Sequence, residues 1–115
     1  MTPSREQVFE NRRVARRRTP KGNIQVECYM NALGLGPNVA LSLFDVSEAG
    51  ARVTVKVPLA PRQEIEVSLS GIGHRRPVKN RADVIWCNPT TEGTFQAGLK
   101  FQRYLVHQDL LELAR

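Results

Sequence analysis

Glu64-Ile65-Glu66-Val67-Ser68-Leu69 alternates polar and apolar side chains without a break. In an extended chain successive side chains point to opposite faces, so Ile65, Val67 and Leu69 share one face and the polar three the other. This is the signature of a half-buried strand, and it does not fit the three-to-four-residue spacing of a helix. The same period recurs on both sides. Ile24, Val26, Cys28 and Met30 alternate with Gln25, Glu27 and Tyr29, and Val39, Leu41 and Leu43 follow. Val53, Val55 and Val57 alternate with Arg52, Thr54 and Lys56. Val78, Ala82, Val84 and Trp86 oppose Lys79, Arg81 and Asp83, and Phe95, Ala97, Leu99 and Phe101 close the series, making six strands.

Turn chemistry separates them: Gly34-Leu35-Gly36-Pro37, Glu48-Ala49-Gly50, Pro58 to Pro61, Gly71-Ile72-Gly73 and Asn88-Pro89 to Gly93. Short strands with one apolar face each are best satisfied by an antiparallel β-barrel, which buries that face and leaves few open edges; a sandwich is the alternative. After Tyr104 the period becomes helical, with Val106, Leu110 and Leu113 on one face and Leu111 beside them. A helix this short needs the barrel to dock on. The expectation is an all-β fold: a six-stranded antiparallel barrel at 22–104, a C-terminal helix packing on it at 105–115, and a flexible basic arm at 1–21. Within the arm, Ser4 and Gln7 have the spacing of a capping box, and Thr19-Pro20 and Lys21-Gly22 end any helix before the first strand.

The 115-residue chain carries a net charge of +6, unevenly spread. Residues 1–21 hold seven basic groups against Glu6 and Glu10, while the remainder holds ten basic against nine acidic. The body is nearly neutral and the excess sits on the arm, which suits an anionic partner. Cys28 and Cys87 fall on inward strand positions and read as small buried hydrophobes, not as a disulfide framework. His74 and His107 have no ligand spacing with each other or with the cysteines, so no metal site or cofactor is expected. No nucleophile is paired with a base, and Gly71-x-Gly73 lacks a third glycine because Arg76 stands there. The expectation is a non-enzyme. No apolar run has the length of a membrane span, and the chain reads as cytoplasmic.

Two clusters carry the chemistry. Arg12-Arg13-Val14-Ala15-Arg16 offers permanently charged forks that pair with phosphate oxygens and with guanine O6 and N7, and that stack on flat rings. Arg12 and Arg16 share a face if helical and lie up to roughly 14 Å apart if extended. Asp45-Val46-Ser47-Glu48-Ala49-Gly50 offers a carboxylate able to accept from guanine N1–H and its amine, a hydroxyl, and a glycine permitting close backbone approach. Taken alone, Asp45, Ser47 and Gly50 also fit a plain turn. His74-Arg75-Arg76 reads as a solvated hairpin tip, and Arg17 and Arg18 extend the first cluster.

The ordered set resembles a stand-alone PilZ domain, a bacterial receptor for cyclic di-GMP. The family pattern is R-x-x-x-R in an N-terminal loop and [D/N]-x-S-x-x-G after an early strand, matched by Arg12…Arg16 and Asp45…Ser47…Gly50. Val84-Ile85-Trp86 and Gly98-Leu99-Lys100-Phe101 are similar to two further family strands, so the resemblance covers about residues 10–110. It implies a barrel with a helix over one end and the ligand on the outer face under the arginine loop. Arg12 and Arg16 would meet phosphates and guanine edges with Arg13 as an auxiliary contact. Asp45 and Ser47 would take the edge of a guanine, and Gly50 would leave room. It further implies a downstream protein partner in motility or exopolysaccharide regulation. Two other readings stand beside it: a basic-armed barrel for RNA or single-stranded DNA, for which Tyr29 and Phe44 are the obvious outward aromatics, and a PilZ-like adaptor that has lost its ligand.

Overall fold

The computed structural model describes residues 17–22, 24–31, 33, 35–71 and 76–114. Ser4, Gln7, Arg12, Arg13, Arg16, His74 and Arg75, all singled out above, lie outside these. The strands are β1 (Gln25–Tyr29), β2 (Ala40–Val46), β3 (Gly50–Val55), β4 (Glu64–Ser70), β5 (Val78–Pro89) and β6 (Phe95–Phe101), followed by helix α1 (His107–Leu113). They form one antiparallel sheet in the order β1-β4-β5-β6-β3-β2. The sheet curls until its two end strands meet. Asn38 makes that seam: its Oδ1 accepts from the Cys28 and Ala40 amides, each at 2.9 Å, beside a Val39 N–H to Cys28 O bond of 2.9 Å. Near-closure removes most of the unpaired edge that an open six-stranded sheet would expose.

The inward residues of β3, β4 and β6 follow the alternation. Val53, Val55, Ile65, Val67, Leu69, Ala97, Leu99 and Phe101 are all buried in one core with Val26, Cys28, Ala82 and Val84. Ser68 departs from it: expected outward, it is buried, flanked in register by Glu27 and Lys79.

β2 also departs from the simple period. Ala40 pairs with Val55 but Ser42 with Thr54, and Leu43 pairs with Val53 but Asp45 with Arg52. Leu41 and Phe44 are thus extra residues, each inserted by a bulge and turned to solvent, and Val46 returns to the core. Leu41, expected inward, is exposed for this reason. Ile85 on β5 is a third such residue, between the Val84–Leu99 and Trp86–Gly98 pairs. Trp86 consequently lies flat on Gly98, where an added Cβ would meet the indole at 2.3 Å.

Leu110 and Leu113 of α1 are buried with Leu105 and Ala114, which docks the helix on the barrel. Val106 is not on that face. It occupies the N-cap with extended backbone (φ −70°, ψ 151°), outside the helical repeat, and is exposed. The chain before β1 ties this end together: Lys21 N–H donates to Leu113 O at 2.9 Å, and Pro20 bridges to Ala114.

Candidate functional site

The hairpin between β2 and β3 turns at Glu48-Ala49, and neither residue has positive φ. The primed turns that match strand twist require positive φ, so this turn needs another brace. Ser47 supplies it. Its N–H donates to Gly50 O at 2.8 Å, and its Oγ accepts from the Ala49 and Gly50 amides, each at 3.2 Å. The buried Ser47 hydroxyl is therefore engaged in closing the turn. Gly50 faces β6 so closely that a Cβ there would stand 2.1 Å from Leu99 O. Within the described residues, the space that this glycine keeps open is filled by the barrel's own backbone.

Asp45 lies inside β2, one residue past the bulge, and its residue is only 8% exposed. Burying a carboxylate is costly unless it is paired. The partner is Arg52, its register mate on β3, whose Nε donates to Oδ2 at 2.8 Å and whose Nη2 donates to the same oxygen. That hydrogen bond raises the Arg52 guanidinium further above its ordinary range, keeping it a permanent cation. Its carbon sits 4.7 Å from the centre of the exposed Phe44 ring, a cation–π distance. Arg17 Nη1 approaches the same Asp45 oxygen at 3.8 Å.

Arg18 is tied to the hairpin through its backbone. Its N–H donates to Val46 O at 2.8 Å, and its carbonyl accepts from Val46 N–H at 3.0 Å. Arg18 therefore pairs with the residue between Asp45 and Ser47. Arg18 Nε is buried without a hydrogen-bond partner among the described residues. A buried donor left unmet is rare.

Of the residues singled out from the sequence, Asp45, Ser47 and Gly50 come together on one hairpin; Arg12, Arg13 and Arg16 lie outside the described residues. Sequence reasoning missed Arg52 and left Arg17 and Arg18 unassigned. Arg52 had a signal: a two-residue turn at Glu48-Ala49 sets Val46 against Ala51 and therefore Asp45 against Arg52.

On the opposite side of the chemistry, the described residues hold no group of three or more His, Cys, Asp or Glu side chains suited to a metal ion. No helix among them is long and apolar enough to cross a membrane. The family model for the PilZ domain matches residues 11–115, a span that includes both clusters. Comparison with curated proteins gives no match.

Proposed function

The chain belongs to the PilZ domain family, and on that premise we propose that it is a receptor for the second messenger cyclic di-GMP. One observation carries the reading. Arg18 is bonded through its backbone to Val46, which ties the chain two residues after Arg16 to the Asp45–Ser47 hairpin. In this reading the two clusters, far apart in sequence, form one surface. An anionic ligand there answers the cationic segment.

In this reading Arg12 and Arg16 meet phosphates and guanine edges, with Arg13 as an added contact. Asp45 accepts from the N–H edge of a guanine. Ser47 and Gly50 hold the hairpin that presents it. The module works by binding, not catalysis, and needs no metal or cofactor. Ordering the arginine segment costs about 1–2 kcal/mol per residue fixed. Charge-assisted contacts of about 1.5–3 kcal/mol each offset it. The altered surface then speaks to a downstream protein partner in the cytoplasm, in motility or exopolysaccharide regulation.

Calorimetric titration with cyclic di-GMP, beside GTP and a short RNA, tests this. Selective uptake of the cyclic dinucleotide is expected, with loss in both Arg16→Ala and Asp45→Ala. Equal affinity for RNA with Asp45→Ala neutral would reassign the basic segment to nucleic acid. A folded chain that ignores both the dinucleotide at millimolar excess and the RNA would leave the adaptor reading.

A further inference from the structure

The contacts of Asp45 are lopsided. Arg52 Nε, Arg52 Nη2 and Arg17 Nη1 all converge on Oδ2. Oδ1 takes no hydrogen bond from any described residue, and 11% of the side chain remains open to solvent. Arg52 is itself held twice, by Asp45 on its Nε–Nη2 edge and by the Phe44 ring at 4.7 Å, while its Nη1 has no partner among the described residues. A carboxylate free to rotate presents either oxygen in any direction; one gripped by a two-pronged fork presents one oxygen in one direction.

We propose that Arg52 is the positioning residue of this site: it grips Asp45 Oδ2 so that Oδ1 is left as a fixed acceptor, and this held carboxylate selects guanine over adenine. The inference rests on the receptor reading above. The Watson–Crick edge of guanine offers N1–H and an amine as donors next to the O6 acceptor. Adenine offers an amine donor next to an N1 acceptor, which would face the carboxylate oxygen lone pair to lone pair. Phe44 owes its place under the guanidinium to the bulge between Leu43 and Asp45, so the same irregularity that breaks the strand period assembles the recognition pair. Lysine in place of Arg52 keeps the charge but has neither the fork nor the flat face.

The test titrates cyclic di-GMP and cyclic di-AMP into the full chain and its Arg52→Ala, Arg52→Lys, Asp45→Ala and Asp45→Ala/Arg52→Ala variants, each checked for folding by its thermal melt. Arg52→Ala is expected to weaken cyclic di-GMP binding about 10- to 100-fold, the equivalent of one charge-assisted contact, and to narrow the preference over cyclic di-AMP. Arg52→Lys, which keeps a cation against Asp45 and serves if the alanine variant unfolds, is expected to narrow that preference too. With Asp45 already removed, loss of Arg52 is expected to change binding no further, because Arg52 acts through Asp45. Additive losses in the double variant, or single variants with unchanged discrimination, overturn the inference while leaving the receptor reading intact. A parent chain that binds neither dinucleotide overturns both.

Discussion

Gly50→Ala discriminates between two reasons for a glycine at the end of the second motif. The added methyl would stand 2.1 Å from Leu99 O and 3.2 Å from Leu99 C. A carbon–oxygen contact relaxes at about 3.3 Å, so the β3 and β6 backbones must part by roughly 1 Å. They are paired at that point, Gly50 with Lys100 and Ala51 with Leu99, and Phe101 N–H donates to Ala49 O at 2.8 Å. Overpacking costs about 1–3 kcal/mol, and a weakened pairing bond adds about 1, for a total of about 2–4 kcal/mol. With an unfolding entropy near 2.1 cal/mol/K per residue over 115 residues, the melting temperature should fall by about 8–16 °C. The assay is a thermal melt by circular dichroism, run with a cyclic di-GMP titration. A variant that melts within about 2 °C of the parent would refute the reasoning. If that variant also lost the ligand, Gly50 would be a clearance for ligand and not for Leu99.

Three further outcomes follow from the same geometry. Ser47→Ala removes the acceptor for the Ala49 and Gly50 amides and is expected to cost about 1–2 kcal/mol in urea unfolding, with m unchanged. Asn38→Ala strips the oxygen shared by Cys28 and Ala40; a loss of about 2–3 kcal/mol and faster amide exchange at both positions are expected, and unchanged exchange would contradict the seam. Burial pushes the Cys28 thiol up to about 12, so the unfolded chain releases this proton first. The contribution is present below the unfolded thiol's range, near pH 9, and is lost as pH rises toward 12, at up to about 1.4 kcal/mol per pH unit. The difference between parent and Cys28→Ala stability curves across that window measures it, and a flat difference would count against it.

Much of the barrel was legible because burial and alternation report the same thing where strands pair regularly. β3, β4 and β6 need little tertiary information: each places one apolar face inward, and the structure agrees there, with Ser68 the polar position on β4 that is buried as well. β2 was misphased at Leu41, and on β5 Trp86 was expected in the core it does not join, because a bulge is a property of two strands together. One chain's period cannot register an extra residue that only its neighbour fails to match. The candidate site divides in the same way. Asp45, Ser47 and Gly50 form a short local pattern, so their proximity is visible in one hairpin. Val106 looked like a member of the helix face because spacing alone does not say where helical backbone begins.

From the sequence by itself came the strand count, the inward faces of β3, β4 and β6, the terminal helix and the concentration of positive charge ahead of the first strand, because these depend on neighbours within a few residues. Met30, expected inward just past the end of β1, is exposed. Only the tertiary structure decided that Asn38 closes the barrel and that Leu99 occupies the space beside Gly50. Those contacts are set by register and bulges, which depend on how the whole sheet shares its hydrogen bonds and its core, and no local stretch of chain encodes that balance alone.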